Sequence, residues 1–195
     1  MAGESPNRRS ASAPAVRVLH VDDDPALLDL TATYLERIDD AFEVRSETGV
    51  GDALNALESA PIDCVISDYD MPEADGLTFL RRARDRGIDV PFVLFTGKGS
   101  EEIASEAIAA GATDYIQKRG GNDQYEVLAN RVRNAVDQHR SRAALAASQE
   151  RLSRFINQSP LGTIEYDEAF RIVRVNPAAE EILGYDESEL LGGTW

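Results

Sequence analysis

Five polar side chains, each placed directly after a short apolar run, suggest chemistry on a phosphoryl group. They are three carboxylates, one hydroxyl and one amine, at Asp22, Asp23, Asp68, Thr96 and Lys118. Clustered carboxylates repel one another, and a hard divalent cation such as Mg²⁺ relieves that repulsion. A carboxylate can also attack phosphorus to give an aspartyl phosphate, while a metal ion and a lysine neutralise the transferring group. These residue types together indicate a metal-assisted phosphoryl-transfer site.

The five side chains can meet only if the runs that precede them belong to one sheet. Strands are predicted at 16–21, 42–46, 62–67, 91–95 and 113–117. Helical patterns follow them at 26–38, at 50–59, at 76–86, from a cap at Ser100 to Gly111, and at 125–136. Five strand–helix units in a row predict a parallel sheet with helices on both faces, in which ligands bind at the carboxyl ends of the strands. That edge is where the polar side chains would converge.

Four motifs at these strand ends resemble those of the response-regulator receiver family of two-component signalling. They are VDDDP, ISDYDMPEADG, LFTGKG and DYIQK, and the resemblance extends over about residues 15–137. It implies a flavodoxin-like α/β fold, with a five-stranded parallel sheet in the order 2-1-3-4-5. It also implies a phosphoacceptor that receives its phosphoryl group from a sensor histidine kinase. Such a receiver is not an enzyme, apart from assisting its own phosphorylation and dephosphorylation.

The metal-binding roles follow from the resemblance, position by position. Asp68 would be the phosphoacceptor and would also ligate Mg²⁺, while Asp23 would be a direct metal ligand. Asp22 would hold metal-bound waters, and the backbone carbonyl of Asp70 would complete the share of the coordination that the protein supplies. The resemblance thus implies Mg²⁺ as the cofactor.

The resemblance also assigns the groups that bind the phosphoryl oxygens and signal their presence. Thr96 and Lys118 would each hold a phosphoryl oxygen, and Tyr115 would be an aromatic switch that moves inward with Thr96. A plain half-buried aromatic is the alternative for Tyr115. One departure is Arg119, which stands where the family usually has a proline, often after a cis peptide bond.

Other polar residues near these motifs have simpler interpretations. Asp24 before Pro25 is predicted to cap a helix, and Asp75 before Gly76 is predicted to form a turn and a cap. His20 lies inside the first strand and is predicted to be packed in the core.

An enzyme is the alternative function. Asp68, Tyr69 and Asp70 also match the Asp-x-Asp motif of haloacid-dehalogenase-like phosphatases, which form aspartyl phosphates too. In those enzymes the motif follows the first strand and further acidic ligands lie downstream. Here Asp22 and Asp23 lie upstream, so the receiver is the preferred interpretation.

The remaining segments predict a multidomain arrangement. Residues 1–14 are predicted to be a disordered tail, and 138–150 a helical linker that continues the last receiver helix. The segment 151–195, with RIVRVNPAAEEILGYDESELLG, resembles the start of a PAS sensor domain and is expected to be truncated. A homodimer is expected. Pairing of two identical chains along the linker would be a natural readout, and the resemblance implies an alternative, pairing through the receiver face made by the fourth helix, the fifth strand and the fifth helix.

The composition limits which partners and which cellular location are expected for this chain. A formal net charge of −15 argues against direct binding of nucleic acid. No apolar run is long enough to span a membrane, and the single cysteine, Cys64, fits a reducing compartment, so a cytoplasmic location is expected. Lys98 and Lys118 are the only lysines, and an acidic chain so poor in lysine resembles proteins of haloarchaea.

Overall fold

A computed structural model describes residues 14–97, 99 and 101–193. The chain falls into two compact units, which divide between His139 and Arg140. The tail predicted at 1–14 lies outside the described residues except for its last residue, and so do Lys98 and the helix cap predicted at Ser100. Within the described part, the helices are too short or too polar to cross a membrane.

The first unit is built on a sheet in which every neighbouring pair of strands is parallel. Its strands are β1 (Val16–Val21), β2 (Phe42–Glu47), β3 (Cys64–Ser67), β4 (Phe92–Thr96) and β5 (Asp114–Gln117). Their order is β2-β1-β3-β4-β5, which confirms the predicted flavodoxin-like α/β sheet in the order 2-1-3-4-5. β3 begins at Cys64, two residues later than predicted. The preceding residue, Asp63, accepts hydrogen bonds from the backbone N–H and the guanidinium of Arg17 with its carboxylate.

Helices cover both faces of this sheet, as predicted. On one face lie α1 (Pro25–Ile38) and the first part of α5 (Asp123–Asn157), and on the other lie α2 (Val50–Ser59), α3 (Gly76–Asp85) and α4 (Glu101–Ala109). Two sets of buried apolar side chains fill the interfaces, one including Leu19, Val21, Leu77, Phe79 and Leu80, the other Val18, Leu35, Phe95, Leu128 and Val132. The two layers hold the strand ends in fixed positions relative to one another.

The start of α1 is fixed by a side-chain cap directly beyond β1. The Asp24 carboxylate accepts a hydrogen bond from the Ala26 N–H at 2.9 Å, and Pro25 occupies the first helical position. The predicted cap is therefore confirmed, and it sets how sharply the chain turns away from the sheet edge.

α5 is a single helix of 35 residues. It contains the helix predicted at 125–136 and continues through the linker predicted at 138–150. Its buried residues end at Val136, and every residue from 141 to 152 is exposed. Beyond Val136 the helix therefore leaves the core of the first unit.

The second unit is small and has little core of its own. Its hairpin of β6 (Ile164–Tyr166) and β7 (Ile172–Val175) is antiparallel, and α6 (Pro177–Leu183) and α7 (Glu187–Leu190) follow it. Buried apolar side chains in this cluster are Ile172, Val175 and Ala179. With so few of them, hydrogen bonds carry much of the local order.

Asn176 supplies four of those hydrogen bonds from a fully buried position between β7 and α6. Its Oδ1 accepts from the N–H groups of Thr163 at 2.7 Å and Ala179 at 3.0 Å. Its Nδ2 donates to the carbonyls of Ile156 and Leu161, both at 2.9 Å. Both amide hydrogens are thus used, and one of them joins the last turn of α5 to the hairpin.

Candidate functional site

The carboxyl ends of β1 and β3 place two acidic side chains next to each other. Val21 pairs with Ser67 in the parallel ladder, so Asp22 and Asp68, which follow them, are neighbours. The Asp68 N–H donates to the Val21 carbonyl at 2.8 Å. Both acidic residues are buried, with 2% and 7% of their surface exposed. Two buried carboxylates so close together require a positively charged partner.

That partner is Lys118, which follows β5. Its Nζ donates to Oδ2 of Asp22 at 2.7 Å and to Oδ1 of Asp68 at 2.6 Å. Its backbone N–H donates to the Thr96 carbonyl at 2.8 Å, which fixes the point from which the side chain starts. The ammonium also lies 5.6 Å from the centre of the Phe95 ring, within range of a cation–π contact. One lysine thus bridges acids that two other strands supply, an arrangement we call the Lys118 bridge.

Asp23, the predicted direct metal ligand, is exposed beside this bridge. Among the described residues, no group of three or more Asp, Glu, His or Cys side chains is already arranged to hold a metal ion. The oxygen donors that Mg²⁺ prefers are nevertheless present at this edge, on Asp22, Asp23 and Asp68. Three carboxylates against one ammonium leave two negative charges, which match a divalent cation. The residues therefore fit Mg²⁺ in donor type and in charge.

The loop between β3 and α3 orients the Asp68 carboxylate. The Asp70 N–H donates to Oδ2 of Asp68 at 2.6 Å, and the Ser67 hydroxyl donates to the Asp68 carbonyl at 2.8 Å. Asp75 caps α3 by accepting from the Thr78 N–H at 2.7 Å, which confirms its predicted role. Each oxygen of the Asp68 carboxylate thus has a donor, Lys118 for one and Asp70 for the other.

Gly76 shapes this loop in a way that the sequence interpretation missed. A Cβ at this position would collide with the Asp68 carbonyl oxygen and would lie 2.7 Å from Cδ2 of Leu94. The Gly76 N–H also donates to the Tyr69 carbonyl at 2.9 Å. Only a glycine fits so close to the backbone of Asp68. The Asp-Gly pair at a helix start was a turn signal, and it did not reveal this contact.

Thr96 and Tyr115 lie on adjacent strands. Thr96 ends β4 and is buried, with 1% of its surface exposed, and its pair partner on β5 is Gln117. Tyr115 pairs with Leu94 and is half-buried against the core beneath α2, α3 and α4. This position suits a switch residue and equally a plain packed aromatic, so both alternatives stand.

His20 is fully buried on β1, two residues before Asp22. Among the described residues, neither of its ring nitrogens has a hydrogen-bond partner. Its pKa is lowered to about 3, mainly by burial and also by the positive charge of Lys118, while the negative charge of Asp68 opposes the shift. The ring is therefore neutral and packed, as predicted.

Arg119 occupies the position at which the family usually has a proline, and its backbone N–H, which a proline lacks, makes a hydrogen bond. Its backbone N–H donates to Oε1 of Gln124 at 2.9 Å, and Nε2 of Gln124 donates to the Gly121 carbonyl at 3.0 Å. The peptide bonds of the described residues, including Lys118–Arg119, are all trans. A side-chain hydrogen bond thus organises the loop directly after Lys118.

The family model described as the response regulator receiver domain matches residues 18–133, more than half of the chain. The chain belongs to the response-regulator receiver family. A PAS domain model matches residues 150–195, so the receiver is followed by a PAS segment, as the motifs indicated.

Curated proteins that are similar to this receiver include response regulators. The response regulator SaeR of Staphylococcus epidermidis is 36% identical over 101 residues, which are 52% of this chain and 43% of the relative. The chain thus spans less than half the length of the curated relatives it matches.

Solved structures of receiver domains share the fold. A CheY-like receiver domain protein from Methanospirillum hungatei has a TM-score of 0.59 at 26% identity, covering 66% of this chain and 98% of its own. The chemotaxis protein CheY4 of Vibrio cholerae has a TM-score of 0.56 at 27% identity, covering 60% and 98%. The first unit is therefore a receiver of the two-component type.

Proposed function

We propose that Asp68 of this receiver accepts a phosphoryl group from a partner sensor histidine kinase with the help of Mg²⁺. The observation that carries the proposal is the Lys118 bridge, in which one ammonium binds Asp22 and Asp68. A buried ion pair adds little stability over apolar packing of similar volume. Chemistry at this edge therefore explains the bridge better than stability does.

Asp68 is the nucleophile in this scheme. An oxygen of its carboxylate forms the new bond to phosphorus while the bond between phosphorus and the donor breaks, which leaves an aspartyl phosphate. Its two oxygens are fixed by Lys118 and by the Asp70 N–H, so the carboxylate points in one direction before the donor arrives. Such preorganisation lowers the entropy lost on reaching the transition state.

The acidic neighbours would hold the cation. Asp23 and Asp68 would be ligands, Asp22 would bind metal waters, and the Asp70 carbonyl would add a backbone ligand. Mg²⁺, when bound, supplies positive charge that neutralises the transferring phosphoryl group. Because Asp23 is exposed, its carboxylate can turn without disturbing the core.

Lys118 and Thr96 would bind the phosphoryl oxygens after transfer. Nζ of Lys118 already contacts the Asp68 carboxylate, so only a small shift would bring it onto a phosphoryl oxygen. Thr96 ends the neighbouring strand β4 and offers a hydroxyl donor. Tyr115 would follow Thr96 inward, and the change would be relayed to a PAS-containing output.

Phosphorylation with a small donor tests this proposal. Incubation with acetyl phosphate and Mg²⁺ should add one phosphoryl group, seen by mass spectrometry of the intact chain. Asp68→Asn should add none. Asp24→Asn is the matched control, because asparagine also caps helices, and it should be phosphorylated like the parent.

Two outcomes would contradict the proposal. One is an equal mass gain in Asp68→Asn and the parent, which would place the phosphoryl group elsewhere. The other is sustained turnover of a general phosphatase substrate that depends on Asp68, which would favour the haloacid-dehalogenase-like alternative. A receiver without an enzyme's turnover should show neither.

A further inference from the structure

The middle of α5 lacks the packing that supports its first part. Residues up to Val136 contribute buried side chains, whereas residues 141–152 are all exposed. Large apolar side chains lie bare in and just after this stretch: Leu145 is 61% exposed, Leu152 59% and Phe155 75%. Isolated helices of this length are marginal in water, since most helical stability comes from packing of an apolar face. An unpaired helix here would therefore be poorly stabilised.

The bare apolar side chains are spaced for pairing with a second helix. Leu145 and Leu152 are seven residues apart, and Phe155 follows three residues later. This is the spacing of positions a, a and d in successive heptads, which lie along one seam of a left-handed coiled coil. Ser141 and Ser148 fall at the other d positions, and small side chains there allow close approach. We call Leu145, Leu152 and Phe155 the α5 seam.

Charges in the heptad just before the α5 seam identify the partner and its direction. In this heptad assignment Asp137 falls at a g position and Arg142 at the following e position, and both are exposed. In a parallel, in-register pair, g of one helix faces the following e of the other. Asp137 of each copy would then face Arg142 of the other, giving two opposite-charge pairs. An antiparallel pair would instead place Arg142 opposite Ile156 and Ala144 opposite Arg151, with no such attraction.

We propose that the α5 seam is a docking surface for a second copy of this chain, with the two helices parallel and in register. The seam buries its apolar side chains against their counterparts, and the Asp137–Arg142 pairs set the direction and the register. The pairing does not depend on phosphorylation of Asp68, so it stands or falls separately from the proposed function. Each chain carries a net charge of −15, so salt should strengthen the pair by screening the repulsion between copies.

The mass of the full chain in solution tests the pairing. Sedimentation equilibrium on Asp68→Asn, which keeps phosphorylation out of the measurement, should show a dimer that tightens with added salt. Leu152→Asp should weaken dimerisation by at least about tenfold. Ala146→Asp is the control: it places the same charge on the outer face of the same helix and should change the affinity by no more than about twofold. A monomer mass throughout the concentration range, or equal losses in both variants, would overturn the proposal.

Charge exchange and cross-linking test the direction. Asp137→Arg and Arg142→Asp should each weaken the dimer, and the double variant should restore it. Leu145→Cys should form a disulfide between copies under mild oxidation and Ala146→Cys should not, with the buried Cys64 as a silent background. An antiparallel pair would leave Leu145→Cys unlinked and the double variant no better than either single one, and both results would refute the parallel register.

Discussion

The Lys118 ammonium lies 2.6 Å from Oδ1 of Asp68, so the side chain that would accept a phosphoryl group already has a cationic partner. The same ammonium holds Asp22 at 2.7 Å. A metal ion that binds these acids must therefore compete with Lys118 for their oxygens. Lys118 balances one of the three negative charges at this edge, and a bound cation would balance the other two while sharing the oxygens of the same acids.

Lys118→Met should lower the free energy of unfolding by about 3 kcal/mol without added metal, because two buried carboxylates lose their partner. Mg²⁺ should restore more stability in this variant than in the parent, since the cation no longer competes with an ammonium. Urea unfolding with and without Mg²⁺ measures both effects. Lys118→Arg, which keeps the charge, serves as the control. An equal response of parent and Lys118→Met to Mg²⁺ would argue against competition at this site.

His20 should make stability fall as the solution becomes acidic. Its folded-state pKa is about 3, below the ordinary 6.5, so the unfolded chain binds a proton that the folded chain does not. The stabilising effect is complete above about pH 6.5 and is lost progressively toward about pH 3. His20→Leu should remove about 2 kcal/mol of the stability loss between about pH 7 and about pH 5. At neutral pH His20→Leu should be no less stable than the parent, since neither ring nitrogen of His20 has a hydrogen-bond partner in the part of the chain that the structure describes.

Unfolding of the parent and His20→Leu at several pH values tests this sign. His139→Gln, at the other histidine, is the control and should keep the slope of the parent. Parallel curves for parent and His20→Leu would show that His20 does not contribute to the pH dependence.

Gly76→Ala should impair both folding and phosphorylation, because the added methyl group collides with the Asp68 carbonyl. We expect a loss of at least about 2 kcal/mol in unfolding free energy and slower phosphorylation by acetyl phosphate. Gly51→Ala is the matched control: Gly51 lies inside α2 with open space around it, and alanine there should add up to about 1 kcal/mol. Equal stability of the two variants would show that the loop yields without strain.

Arg119→Pro should lose the hydrogen bond from the backbone N–H to Gln124, at about 1 kcal/mol, whereas Arg119→Ala should keep it. Gln124→Ala should cost less stability in Arg119→Pro than in the parent, because in that variant it removes only the hydrogen bond to the Gly121 carbonyl. A double-mutant cycle of thermal unfolding measures this coupling. Additive effects would mean that Gln124 acts through other contacts.

The sequence patterns predicted a parallel sheet and the edge at which the site lies, and the resemblance to the receiver family supplied the strand order. Apolar runs that end in Asp22, Asp68 and Thr96 needed only the rule that parallel strands share an edge. The helix caps at Asp24 and Asp75 could also be predicted, since each depends on a hydrogen bond to a residue no more than three positions away.

Contacts between distant residues could not be predicted from these local patterns. Lys118 and Asp22 are 96 positions apart, and their hydrogen bond depends on where the side chains point after folding. The collision that excludes a Cβ at Gly76, at the start of α3, involves the Asp68 carbonyl and Leu94 on β4. The helix propensity of the linker indicated that α5 continues beyond the receiver. Only the burial of its side chains in the structure showed that packing against the first unit ends at Val136.

Asn176 couples the end of α5 to the rest of the second unit through its hydrogen bond to the Ile156 carbonyl. Turning α5 about its axis by one residue, about 100°, would carry that carbonyl away from the amide and break a part-buried hydrogen bond. The same amide holds the Thr163 N–H just before β6 and the Ala179 N–H at the start of α6. A rotation of α5 would therefore be transmitted through these hydrogen bonds and would not be absorbed by a flexible loop. A rotation of α5 too small to break the bond would act on the start of the hairpin and on α6 together, because one side chain holds both.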